Sequence, residues 1–283
     1  MWRVAILSFK KGNMKKLNIF KVLSYLITQI QKRFKAAGYS KAIIGLSGGL
    51  DSANVAALAI LALGKKNVSC VYLPSDYSSN LSLGLARKFC QLNNIFFHFE
   101  HIQPQINCFA NELLITDKTS IAYQNLQARI RGVVLMTRAN IDHRLVIATG
   151  NKSENLTGYC TLYGDTVGAF EPLGDLYKTE VIELARFIHK MTTVQIPNEI
   201  IERPPTAELA PDQTDEKELL PYDKLDPLLD GLLKNTSHKT LARKLRIALT
   251  DVERIDQRMK NSAFKRRQTA PTIKIPKRCY VTR

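Results

Sequence analysis

The sequence predicts a doubly wound α/β fold: a mostly parallel sheet with helices on both faces, followed by a helical C-terminal region. Three observations point there. Four short apolar runs, at 42–46, 67–73, 95–99 and 145–148, have the length and uniform apolarity of strands buried on both faces. Stretches with helical spacing alternate with them, as strand–helix–strand units require. The first run ends in a glycine pair, and a sheet of this kind gathers ligands at the carboxyl ends of its strands.

Taken in order, residues 19–34 carry Phe20, Leu23, Leu26, Ile27, Ile30 and Phe34, a helix with a broad apolar face. The first strand follows at 42–46. Ser47-Gly48-Gly49 breaks it, and Asp51-Ser52 opens a helix whose spacing is set by Val55, Leu58, Ala59, Ala62 and Leu63. The second strand, 67–73, stops at Pro74-Ser75. A helix over 82–93, a strand over 95–99 and a helix over 105–114 come next. The long helix over 119–140 is expected to bury Leu126, Ile130, Val133 and Val134. After the fourth strand, Asn151 with Glu154 three residues on forms a capping-box variant. A further helix spans 178–190. From Pro197 a proline- and acid-rich stretch reads as a long loop with short helical pieces, a type of segment that is usually functional or mobile. Helical patterning returns over 225–260. The expected organisation is a basic leader at 1–18, one domain over 19–270 and a basic tail at 271–283.

A chain of 283 residues, 45% apolar, buries one large core, or a core with a small appendage. No apolar run is long enough to cross a bilayer. The first sixteen residues lack a signal-peptide layout; an ordered leader, a disordered tail and a start codon upstream of Met14 remain alternatives. The net charge of +16 suggests nucleic acid until its distribution is read. Residues 1–50 hold ten Lys or Arg and 260–283 hold eight, with no acid in either, so the body between them is close to neutral. Nucleic acid and membrane are therefore not expected partners. Five scattered cysteines without a C-x-x-C argue against a zinc site or a disulfide framework and suit a reducing cytoplasm.

Residues 45–52, GLSGGLDS, concentrate the chemistry. Adjacent glycines let backbone N–H groups approach a ligand, and a helix N-terminus adds unpaired donors, so the natural guest is a phosphate. Asp51 would repel phosphate alone, but makes sense beside a divalent cation that the phosphates share. The plainer alternative is an N-capped helix after a tight turn. In the long helix, Asn125 and Arg129 are four apart and can point at one ligand, with Arg131 directed elsewhere. At the end of the fourth strand, Thr149 can donate a hydroxyl hydrogen bond and Glu154 can bind a cation or a polar group.

SGGLDS differs from the Walker pattern and resembles the loop of the ATP pyrophosphatases, which cleave ATP between its α and β phosphates. QNLQARIRG, ATGNKSENLTGYCTLYGD, LYKTEV, ERPPTAELAPDQTDE, LPYDKLD and FKRRQTAP, in this order, resemble the synthetase portion of the NAD synthetases, in particular their glutamine-dependent branch. The resemblance implies a Rossmann-like fold of the adenine nucleotide α-hydrolase type. It implies adenylation of the nicotinate carboxylate of deamido-NAD by ATP, then displacement of AMP by ammonia. By the same resemblance, Gly45, Leu46, Ser47, Gly48, Gly49, Leu50, Asp51 and Ser52 form the ATP loop, with Thr149, Lys178 and Thr206 also on ATP. Asp51 and Lys178 are the implied catalytic groups, Asp51 and Glu154 the implied ligands of magnesium (Mg2+), and Asn125, Arg129, Glu154 and Lys265 the implied contacts to deamido-NAD. A homodimer is implied as well. The chain departs from the family pattern at Asp76, where an arginine is usual. About 40 residues precede the loop, too few for the amidase domain of the glutamine-dependent branch, so the expected nitrogen source is free ammonia or a separate amidase. The competing readings are another ATP pyrophosphatase acting on tRNA, and a nucleotide-binding paralogue without catalysis.

Overall fold

The computed structural model describes residues 14–206, 208–210 and 215–281. Most of the expected leader therefore lies outside the described residues. Four parallel strands, β1 (Ala42–Gly45), β2 (Val68–Tyr72), β3 (Phe96–Phe99) and β4 (Leu145–Val146), pair in the order β3-β2-β1-β4. The first strand is thus central, and its carboxyl end opens at the middle of the sheet. The helices are α1 (Ile19–Ala37), α2 (Leu50–Leu63), α3 (Asn80–Asn93), α4 (Gln103–Glu112), α5 (Ile121–Ile141), α6 (Lys152–Thr157), α7 (Lys178–Met191), α8 (Asn198–Glu202), α9 (Asp215–Glu218), α10 (Tyr222–Leu233), α11 (His238–Leu245), α12 (Leu249–Asn261) and α13 (Ala263–Arg266).

Alternation along the strands divides the core in two. Ala42, Ile44, Cys70 and Tyr72 face a cluster completed by α1, α2, α3 and α7. Ile43 and Val71 face the other way, against Ile102 and Ile106 of the α4 region and Tyr123, Leu126 and Ile130 of α5. Both sheet faces are covered, so the strands are apolar throughout. In α1, Val22, Leu26 and Ile30 are completely buried, each contributing about 1.5–3 kcal/mol of transfer free energy. Two apolar residues depart from the expected stripes: Phe20 is 65% exposed and Val133 is 61% exposed. A third cluster joins α10, α11 and α12 to Leu156 and Tyr177, forming the helical C-terminal region. No helix among the described residues is long and apolar enough to cross a membrane.

The segment after Ala270, set apart in the sequence as a tail, is docked. Ile273, Ile275 and Cys279 belong to the main core cluster. Thr272 bridges Glu171, Tyr280 bridges Leu17, and the Asn18 N–H donates to the Cys279 carbonyl at 2.8 Å. Residues 271–281 thus close the molecule against the start of α1.

Candidate active site

The β1–α2 turn supplies one wall. Gly49 is the N-cap of α2 and has no side chain to cap with, so the first-turn N–H groups are left to the cleft. The Ser47 N–H donates to Ser52 Oγ at 3.2 Å, and Ser52 Oγ donates to the Gly49 carbonyl at 3.0 Å, which holds the loop closed on itself. Gly48 has φ +80°, and its Cα lies so close to α3 that a Cβ would stand 2.3 Å from the Ser82 carbonyl oxygen.

The ends of β4 and the start of α7 supply the opposite wall. Lys178 is buried, and its Nζ lies 2.5 Å from Asp51 Oδ2 and 3.3 Å from Glu154 Oε1. Asn151 ties the two carboxylates together. Its Nδ2 donates to Asp51 Oδ1 at 2.9 Å, while its backbone N–H donates to Glu154 Oε2 at 3.2 Å within a complete capping box. Glu154 thus completes the cap with Oε2 and turns its other oxygen, Oε1, to Lys178. Asp226 locks the frame behind them, accepting from Ser153 Oγ at 2.5 Å and from the Thr179 N–H at 2.8 Å. Ser153 Oγ in turn accepts from the Lys178 N–H at 3.0 Å. Asp215, also buried, accepts from the Tyr222 hydroxyl at 2.8 Å and faces the same lysine.

Burial sets the electrostatics here. It pushes the Glu154 carboxyl up to about 8 against the pull of Lys178, and raises Asp215 as well. Burial alone would depress Lys178, but Asp51 and Glu154 outweigh it and raise the lysine, which stays charged. Further along, burial lifts Asp165 to about 6 and Glu171 to about 7. For Glu154, Asp165 and Glu171 the folded value exceeds the unfolded one, so the folded state holds more protons between roughly pH 4.5 and pH 8. Their contribution to stability is full below the unfolded values and is lost as pH rises through 6, 7 and 8. The melting temperature of the ligand-free protein is accordingly expected to fall by several degrees from pH 5.5 to 8.5; differential scanning fluorimetry showing a rise over that range would contradict the assignment.

No group of three His, Cys, Asp or Glu side chains among the described residues is arranged to hold a metal. Asp51 and Glu154 nonetheless both bind one ammonium head, so they suit a cation that completes its shell with phosphate oxygens and water. Magnesium behaves in this way.

Gly45, Leu46, Ser47, Gly49, Leu50, Asp51, Ser52, Thr149, Glu154, Lys178 and Thr206 line one cleft of about 1140 Å³, with Gly48 turned behind the loop against α3. Asn125, Arg129 and Lys265 are not among its lining residues. Asn125 Oδ1 accepts from Thr161 Oγ1 at 2.7 Å, and Arg129 Nε donates to the Leu162 carbonyl at 3.2 Å. Lys265 Nζ donates to the carbonyls of Gly158 and Cys160 at 2.9 and 2.7 Å. All three brace the 158–162 turn that borders the cleft.

Arg131, expected to point elsewhere, is the α5 arginine that reaches the cleft. Its Nε donates to the Leu73 carbonyl at 2.9 Å and its Nη2 to Ser75 Oγ at 3.1 Å. Burial lowers it to about 10, which still leaves it charged at neutral pH. The signal for it was the small-residue face Ala128, Gly132, which lines the cleft beside it. At the N-terminus of α3, Arg203 donates to Ser82 Oγ at 2.7 Å and to Glu208 Oε1 at 2.6 Å, so a guanidinium stands at that corner despite Asp76. The Asp76 N–H donates to Gln103 Oε1 at 2.9 Å.

Backbone donors at the central strand end, faced by a charged lysine between two carboxylates, define an α/β protein with a phosphate-receptive cleft. The family model described as NAD synthase matches residues 22–269, and the chain belongs to that family. It is 41% identical over 246 residues to a glutamine-dependent NAD(+) synthetase of Synechocystis sp., covering 86% of this chain and 44% of the relative. The chain thus spans less than half the length of that curated relative. Among solved structures it resembles the NH3-dependent NAD synthetase of Campylobacter jejuni (30% identity, TM-score 0.72, 92% of this chain and 98% of that one). It is also similar to an NMN synthetase from Francisella tularensis (28% identity, TM-score 0.75, 92% and 98%).

Proposed function

We propose that this chain amidates deamido-NAD to NAD in two steps, using ATP and ammonia and releasing pyrophosphate and AMP. The observation that carries this is the Asp51–Lys178–Glu154 cluster facing the uncapped start of α2. In the first step a nicotinate carboxylate oxygen attacks the ATP α-phosphorus, and the bond to the β-phosphate oxygen breaks. The α2 N–H groups receive the departing pyrophosphate, and Lys178 offsets its charge. Thr149 and Thr206 hold the nucleotide. Magnesium, held by Asp51 and Glu154 when bound, supplies charge neutralisation on the phosphates. In the second step ammonia adds to the activated carbonyl, AMP leaves with the bonding pair of the C–O bond, and the nitrogen gives up one proton to water. A carboxylate alone would have to expel oxide; adenylation provides the leaving group, and positioning does most of the rest. Asn125, Arg129 and Lys265 serve the dinucleotide by fixing the 158–162 wall.

A homodimer accords with the unpartnered apolar side chains Ile121, Val133, Met136 and Ile141 of α5 and Phe109, Leu113 and Leu114 at the end of α4, all more than 40% exposed. Five free cysteines accord with a reducing cytoplasm. Ammonia arrives free or from a separate amidase.

The decisive assay supplies deamido-NAD, ATP, magnesium and ammonium chloride; NAD, AMP and pyrophosphate are expected in equal amounts, from a preparation that sediments as a dimer. ADP with phosphate would overturn the adenylation. Formation of NMN from nicotinate mononucleotide, without turnover of deamido-NAD, would move the reading toward an NMN synthetase, the name carried by the Francisella structure.

A further inference from the structure

The two acid-free ends of the chain lie side by side. Residues 14–50 and 260–281 contain no Asp or Glu, and main-chain contacts join them. Leu17 forms an antiparallel bridge with Tyr280. The Val281 N–H donates to the Lys16 carbonyl at 2.8 Å, and the Asn18 N–H to the Cys279 carbonyl at 2.8 Å. Cys279 Sγ donates to the Lys21 carbonyl at 3.7 Å, and the Arg278 guanidinium lies over the Tyr25 ring at 5.5 Å. Charges that the sequence assigns to separate ends are thus summed on one surface, which the near-neutral body between them does not dilute.

Lys15, Lys16, Lys21, Lys32, Lys277 and Arg278 are all exposed, and none of them makes an ion pair among the described residues. Positions 21, 25 and 32 fall on one face of α1. Lys21, the Tyr25–Arg278 stack and Lys32 therefore form a track about 16 Å long. The acids around it are engaged. Burial, and then the charges of Glu180, Asp175 and Asp230, raise the Tyr280 hydroxyl to about 12, so these three acids border the junction. Glu180 is buried and accepts from the Tyr177 N–H at 2.9 Å. Asp175 is paired with Lys152 at 3.4 Å and Lys274 at 3.9 Å, and Asp230 with Lys234 at 2.5 Å. Phe20, immediately before Lys21, puts an exposed ring beside the cations.

We propose that this junction binds a single strand of nucleic acid, its cations on the phosphates and the Phe20 ring under an unpaired base. Unpaired cations draw in phosphodiesters, and an exposed aromatic ring stacks any base, so little sequence preference is expected. A duplex hides the faces of its bases, and an acidic peptide has none to stack. None of these residues lines the cleft, so the strand and the nucleotide bind separately.

Fluorescence anisotropy with a labelled uridine oligomer of about 20 nucleotides, longer than one such site needs, tests this on the full chain. With about four to six phosphates neutralised, affinity is expected to fall about a hundredfold between 50 and 200 mM salt, a log–log slope of about −3 to −4. The triple variant Lys21→Gln/Lys277→Gln/Arg278→Gln is expected to flatten that slope by about 2 and to weaken low-salt binding at least tenfold. Phe20→Ala removes a ring and no charge; binding is expected to weaken about tenfold with the slope unchanged. Lys21→Arg/Lys277→Arg/Arg278→Lys is expected to keep the affinity, which separates charge from any loss of folding in the glutamine variant. No binding by the wild type at low salt, an unchanged slope in the glutamine variant, or displacement of the oligomer by saturating ATP would each overturn the assignment. So would equal competition by a duplex of the same charge or by polyglutamate, which would leave a site for charge alone. The assay needs neither turnover nor deamido-NAD, and its outcome is independent of the amidation reading.

Discussion

Asp51→Asn is expected to lower kcat/KM for NAD formation about a thousandfold, the scale seen when a preorganised charge-stabilising group is removed, with the fold retained. Asp51 touches both Lys178 Nζ and Asn151 Nδ2, at 2.5 and 2.9 Å, so its two oxygens fix the lysine and the α6 N-cap at once. An asparagine occupies the same volume. It cannot hold a divalent cation with comparable strength, and it leaves the lysine free to drift toward Glu154, now 3.3 Å away. That remaining pair is why the fold survives: Asp51 is one of the groups that raise Glu154, so its loss lets Glu154 ionise beside Lys178, and the severe cost of an uncompensated interior charge is avoided. Product formation measured beside the thermal melt checks both halves. A variant within tenfold of wild type would remove Asp51 from the chemistry, and an unfolded one would make its role structural.

Gly48→Ala is expected to destabilise the protein by about 3 kcal/mol, combining strain in a left-handed backbone with overpacking, and to weaken ATP binding at least a hundredfold. The residue has φ +80°, and an added Cβ would meet the Ser82 carbonyl oxygen at 2.3 Å and the Ser82 Cα at 3.0 Å. These are main-chain atoms of the first turn of α3, so no side chain can swing aside. Either the loop lifts off α3 or α3 shifts, and both spoil the array of N–H groups facing the phosphates. Gly49→Ala is the control. Its φ is −91° and its Cβ would meet only the Ser47 hydroxyl, at 3.2 Å, so a small effect is expected. Melts and ATP titrations of the two variants decide it; equal behaviour would mean that the contact with Ser82 does not govern the loop.

Lys178 and Thr206 lie more than a hundred residues from the glycine loop, yet both line the cleft with it. Asn125, Arg129 and Lys265, which the resemblance implies contact deamido-NAD, brace the 158–162 turn beside the cleft. Helical spacing explains the exchange of Arg129 for Arg131. It shows which residues of α5 share a face, but a helix with apolar residues on several sides offers no way to tell which face meets the cleft. Arg131 faces inward because Leu73 and Ser75, from a different strand end, offer it acceptors. Val133 looked like core for the same reason and is 61% exposed.

What the sequence by itself determined is local: the alternation of apolar runs and helical stripes, the glycine bend that needs left-handed backbone, and the Asn151–Glu154 cap. Each depends on neighbours within a few residues, so period and residue type suffice. Only the tertiary structure decided that the segment beyond Ala270 is core, that Asn151 and Lys178 meet on Asp51, and that Glu171 is buried. Those outcomes depend on contacts between segments about a hundred or more residues apart, where burial sets the charge state of each acid and no spacing along the chain records which groups will be desolvated together.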